Sequence, residues 1–128
     1  MGQKICAIIT DKKTRYEKDL VHFFEENIVI IPLDLNGSTI EYFIKEADNF
    51  NTTKEYLQYL KTLPIYDTQT NSTDYDHIIT SIVNIIETYE LKNFSIRYYT
   101  EWAGIPDDDF YIAVINGEIK KDSIVLHR

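Results

Sequence analysis

Apolar residues recur along this chain with two different periods, and the period assigns an element to each block. Ile5, Cys6, Ala7, Ile8 and Ile9 form a short continuous run, the pattern of a buried strand over residues 3–10. Thr14-x-x-Glu17 has the spacing of a capping box and predicts a helix over 14–27, with Leu20, Val21, Phe23 and Phe24 as its buried stripe. A second continuous apolar run over 28–33 predicts another strand, ended by Pro32 and the turn Asp34-Leu35-Asn36-Gly37. Strand, helix and strand in that order predict a βαβ unit with parallel strands and a right-handed crossover.

Two more capping boxes, Ser38-x-x-Glu41 and Thr52-x-x-Glu55, predict short helices over 39–49 and 53–63. Their buried stripes include Ile40, Phe43 and Ile44 in the first and Leu57 and Leu60 in the second, which Pro64 stops. Residues 65–72 read as a polar loop. Thr73 or Asp74 then caps the longest helix, to about residue 91, with Ile78, Ile79, Ile82, Val83, Ile85, Ile86 and Tyr89 on one wide stripe. Beyond it the period falls to two. Phe94, Ile96, Tyr98 and Thr100 alternate with Ser95, Arg97, Tyr99 and Glu101, a half-buried strand. Residues 110–115 predict a second strand, Asn116-Gly117 is a hairpin turn, and 118–126 return as a third. The expected order is β-α-β-α-α-α-β-β-β: an α+β domain with a mixed sheet, a C-terminal antiparallel meander and helices mainly on one face.

At 128 residues and 44% hydrophobic, the chain is expected to form one globular domain with a sizeable core. The unbroken apolar runs, residues 28–31 among them, are too short to span a bilayer, and the N-terminus lacks the apolar stretch of a secretory signal. Gly2 lacks the Ser or Thr at position six that myristoylation prefers, because Cys6 stands there. As the only cysteine, Cys6 excludes an intrachain disulfide and fits a reducing, cytoplasmic setting as a small buried residue. The four N-x-[ST] sequons then reflect composition alone.

Charge is unevenly distributed. Residues 65–118 hold ten acids against Lys92 and Arg97, which accounts for the whole net charge of −8. Six of the ten tyrosines and Trp102 lie in the same stretch. Such a balance opposes nucleic acid or anionic lipid as a partner and favours something basic.

Candidate chemistry is sparse. Pro106-Asp107, followed by Glu118-Ile119-Lys120, resembles the PD-(D/E)xK signature of metal-dependent nucleases over about fifteen residues. A two-residue turn at Asn116-Gly117 would pair Ile115 with Glu118. Asp107 then lies eight residues up the strand, roughly 25 Å from Glu118 at ~3.3 Å per residue, too far to share a metal. Asp74-Tyr75-Asp76-His77 reads as the acidic first turn of a helix rather than a metal cluster, and His22 and His127 have no tie to it. The four glycines make neither a phosphate loop nor a nucleophile elbow. No cofactor or metal is expected.

What remains is a cluster of Tyr99, Glu101, Trp102, Asp107, Asp108, Asp109 and Tyr111. Asp107, Asp108 and Asp109 read either as a solvated turn or as an anionic knob offered to a partner's lysines and arginines. Trp102 is either an aromatic anchor beside that knob or a core residue. Arg97, Tyr99 and Glu101 share the outward face of their strand, and Tyr111 joins them if the register allows. The expectation is a small acidic binding protein that is not an enzyme. Its physical character is that of bacterial immunity proteins, which neutralise a basic toxin such as a nuclease by occluding its cationic active site. A small enzyme with a dispersed carboxylate site, and a phage or regulatory adaptor that mimics DNA charge, are the alternatives. The sequence leaves the oligomeric state open.

Overall fold

The computed structural model describes residues 3–11, 22–33, 37–62 and 74–128, with the side chains of 3 and 74–80 outside that description. Six strands and three helices follow in the order β1 (Gln3–Asp11), β2 (Phe23–Glu25), β3 (Ile28–Pro32), α1 (Gly37–Ala47), α2 (Thr53–Lys61), α3 (Asp74–Thr88), β4 (Phe94–Trp102), β5 (Ile105–Ile115) and β6 (Glu118–His127). The strands make one sheet ordered β2-β3-β1-β4-β5-β6, and every pairing is antiparallel. The architecture is α+β, as the change of period predicts.

The βαβ unit is not there. Phe23, Phe24 and Glu25 are a strand, joined to β3 by a two-residue turn at Glu26 and Asn27, and β1 runs antiparallel to β3 with Ile8 opposite Ile31. The C-terminal end of the helix predicted over 14–27 is therefore a hairpin, while residues 14–21 lie outside the described residues, as do 34–36 and 65–72. Phe23 and Phe24 are 59% and 54% exposed, not a buried stripe. Their β-propensity and the turn-forming Asn27 satisfy the backbone through β3, which an isolated helical turn could not do as well. An antiparallel neighbour on each side of β1 also replaces the mixed sheet with a wholly antiparallel one.

Register divides the side chains cleanly. Ile31, Ile8, Ile96 and Ile112 sit opposite one another across β3, β1, β4 and β5, and all four are essentially inaccessible. With Cys6, Val29, Phe94, Tyr98, Phe110 and Val114 they form the core face of the sheet. That face joins Ile40, Phe43 and Ile44 of α1, Tyr56, Leu57 and Leu60 of α2, and Ile82, Val83 and Ile86 of α3 in one hydrophobic cluster. The apolar stripes of all three helices are thus the ones their spacing predicts, with Ile78 and Ile79 outside the described side chains.

Capping follows the sequence in α2 but not in α1. Thr52 accepts a hydrogen bond from the Glu55 amide at 3.2 Å, one half of the predicted box. In α1 the helix begins at Gly37, ahead of Ser38, and Glu41 is drawn away to Arg128. An aromatic relay ties α1 to α2: Phe43 lies 5.0 Å and Phe50 5.2 Å from the Tyr56 ring. The buried Tyr56 hydroxyl donates to the Phe43 carbonyl at 2.5 Å. Burial pushes the Tyr56 phenol well above its ordinary range, with the Glu46 charge adding to the effect. A folded pKa above the unfolded one stabilises the fold fully below about pH 10, and the contribution is lost as pH rises beyond that. Tyr56→Phe should cost roughly 1 kcal/mol at neutral pH and soften the alkaline fall in stability, both measurable by urea unfolding at pH 7 and pH 10.5.

Candidate functional site

The two hairpins of the C-terminal meander use the same turn and meet different fates. At the β5–β6 turn, Asn116 and Gly117 both have positive φ (53° and 77°), as a type I′ turn requires. This turn is tied down. Gly117 donates to the Lys92 carbonyl and accepts from the Thr53 amide, both at 2.9 Å, and the Asn116 amide donates to Asn93 Oδ1 at 3.0 Å. Ile115 pairs with Glu118, the register on which the argument against a shared Asp107–Glu118 metal site rests.

The β4–β5 turn is Ala103-Gly104, again with two positive φ values (51° and 81°), and it has no comparable tie among the described residues. A Cβ placed on Gly104 would meet nothing within 4 Å. Trp102 and Ile105 face each other in register across this turn, 67% and 70% exposed, the most exposed large apolar side chains among the described residues. Trp102 is therefore not core. Glu101 pairs with Pro106 directly behind them, and a register shift leaves Asp107 as the extra, exposed residue of a β-bulge. The Asp108 amide satisfies itself on Thr100 Oγ1 at 3.1 Å.

The three consecutive aspartates are not a turn between strands. They belong to β5, and alternation sends Asp108 and Asp109 to opposite faces. Asp109 lies opposite Tyr99 on the outer face, where its Oδ1 is 3.7 Å from Arg97 Nε. That nitrogen is enclosed and makes no hydrogen bond within the described residues, so the contact is an ion pair without a bond; half-exposed, it contributes little to stability. The Arg97 guanidinium stacks on the Tyr99 ring at 5.2 Å, and the Tyr99 hydroxyl donates to Glu101 Oε2 at 2.9 Å. The bond to Glu101 raises the Tyr99 phenol above its ordinary value, which keeps it protonated as a donor. Tyr111 stands opposite Arg97 and completes this row, as the outward alternation of β4 predicts.

Asp108 instead faces a cleft of about 250 Å³ between the start of α1 and the sheet, lined with Gly37, Ser38, Tyr98, Phe110 and Arg128. Tyr98 and Phe110 stack on its floor at 5.7 Å. Gly37 has no side chain for a physical reason: a Cβ there would lie 3.0 Å from the Tyr98 ring. Burial, with the Asp108 charge close by, pushes the Tyr98 phenol up.

The structure thus brings together Tyr99, Glu101, Asp109 and Tyr111 on one face, sets Trp102 and Asp107 at the tip, and turns Asp108 away. Ile105, Glu41 and Arg128 were missed. Placing the turn at Ala103-Gly104, from its glycine, would have put Ile105 opposite Trp102. Nothing in the sequence signals the 87-residue contact between Glu41 and Arg128. Among the described residues no group of three or more His, Cys, Asp or Glu side chains is placed to hold a metal ion, and no helix is long and apolar enough to cross a membrane. No family model, curated protein or solved structure matches this chain.

Proposed function

We propose that this chain is a cytoplasmic binding protein of bacterial type that neutralises a basic protein, as immunity proteins neutralise nuclease toxins by covering a cationic active site. The observation that carries this reading is the exposed β4–β5 tip: two large apolar side chains side by side, with the carboxylates of Glu101 and Asp107 just behind them. An apolar pair desolvates well against a partner, and flanking acids steer a basic surface toward it. A net charge of −8 acts in the same direction at longer range. The projecting tip suits a concave partner surface such as a substrate cleft. Binding and occlusion require no reaction of this chain.

Glu101 and Asp107 are the acids to test, because Glu101 meets the neutral Tyr99 hydroxyl and Asp107 is exposed, whereas Asp109 is paired with the Arg97 charge and Asp108 faces the cleft. Immobilised protein should retain from source-cell extract, at low salt, a basic protein that elutes as salt rises and whose own activity the complex suppresses. Glu101→Gln with Asp107→Asn should slow its association roughly fivefold and flatten the salt dependence. Unchanged association at low ionic strength, or retention of an acidic protein, sinks the reading.

A further inference from the structure

The cleft beside the hairpin already holds an arginine. Arg128 donates from Nε and Nη2 to the two carboxylate oxygens of Glu41, a bidentate fork. The Glu41 side chain is only 13% exposed, whereas that of Arg128 is 68% exposed. The fork holds the Glu41 carboxyl below its usual range, and Asp108 adds its own attraction for Arg128. On the other side of the floor the Lys4 ammonium lies 5.5 Å from the centre of the Tyr98 ring. The cleft therefore offers the Asp108 carboxylate and an aromatic face directly, and the Glu41 carboxylate behind Arg128, and the chain's own cations show which chemistry they receive.

We propose that this cleft is the arginine-accepting part of the docking surface, with Arg128 as its resident occupant: an arginine of the basic partner takes the Glu41 and Asp108 carboxylates, and Arg128 swings out. The inference rests on the docking reading above, since Asp108 directly follows Asp107 of the hairpin tip, and it specifies the partner as one that presents an arginine beside its apolar slot. The planar fork of a guanidinium matches the paired oxygens of Glu41 in a way that an ammonium does not. An anion, drawn by the N-terminus of α1, would have to sit against both carboxylates. Among the described residues Arg128 is the cation that the Glu41 carboxylate receives, with Lys4 across the Tyr98 ring, so an incoming arginine competes with the resident one.

The test uses the full chain, isotopically labelled, titrated by NMR at low ionic strength with N-acetyl-arginine methylamide, the matching capped lysine, and inorganic phosphate. The capped arginine should shift the Ser38, Glu41 and Asp108 amides saturably, and more strongly than lysine. Glu41→Gln and Asp108→Asn, each checked for a native spectrum, should weaken that binding about fivefold, and Arg128→Gln should tighten it about threefold, in line with charge-assisted bidentate pairing. The tightening is the discriminating result, because a merely structural ion pair would give loss of stability and no gain in affinity. Cleft shifts driven by phosphate, no response to arginine, or unchanged affinity in Arg128→Gln would each overturn the proposal. A silent cleft with partner retention intact removes the arginine subsite and leaves the docking reading standing. A responsive cleft with no basic partner retained removes the docking reading and with it the role of the cleft in docking.

Discussion

Replacing Trp102 and Ile105 together by serine should weaken partner binding by a factor of about 30 to 1,000, the range expected when ~2–4 kcal/mol of central apolar contact is removed. Stability should stay within roughly 0.5 kcal/mol of the parent, because neither side chain is part of the core. The two measurements together are what make the experiment decisive. Calorimetric titration against the isolated partner gives the first, and thermal unfolding gives the second. Loss of stability would mean that the pair packs against something in the free protein. Retained binding would mean that the partner docks elsewhere, and the outer row of Arg97, Tyr99 and Tyr111 would become the next surface to alter.

The opposite profile is expected at Ile96. It lies on β4 with Ile8 on one side and Ile112 on the other, fully enclosed beneath the helices' apolar stripes. Ile96→Ala removes three carbons from the middle of a row of isoleucines that belongs to four different strands. The neighbours cannot close the gap without disturbing two pairings at once. The cost should be about 3–4 kcal/mol, near the middle of the range for large-to-small core changes. A melting temperature lowered by roughly 10–15 °C would follow for a chain of this size. Val29→Ala, at an equally buried site whose outer neighbour β2 is only three residues long, should cost less, about 2 kcal/mol, because the sheet edge can relax. A smaller loss at Ile96 than at Val29 would show that the centre of the sheet is not where the packing is tightest.

Much of this architecture was legible because it is local. A continuous apolar run marks β1 and β3, a period of 3.6 marks α1 and α2, and strict alternation marks β4. Asn116-Gly117 marks its turn because both residues tolerate positive φ, and Thr52 marks the start of α2 because its hydroxyl can reach a free amide. Phe23 and Phe24 misled for a corresponding reason. Two adjacent aromatics after a capping-box spacing fit a helical stripe as well as they fit a short strand, and only the pairing with β3 separates the two. The three aspartates misled in the same way: their turn propensity is real, yet the residues that make the turn are Ala103 and Gly104, which places the acids inside β5.

The candidate site was legible as a composition and not as a surface. Tyr99, Glu101, Trp102 and Tyr111 could be put on one segment, and the outward row on β4 followed from alternation. Which acids remain available to a partner could not, because that depends on Asp109 meeting Arg97 across a strand pair and on Asp108 facing α1. Apart from β2 and the start of β5, the sequence by itself determined the described elements, their buried stripes and the acidic balance, since each depends on residues within a few positions of one another. Only the tertiary structure decided that β1 is flanked antiparallel on both sides, that among the described residues one hairpin turn is bound down and the other is not, and that Glu41 meets Arg128. Those outcomes depend on contacts between residues far apart in the chain, where strand register rather than local propensity selects the partner.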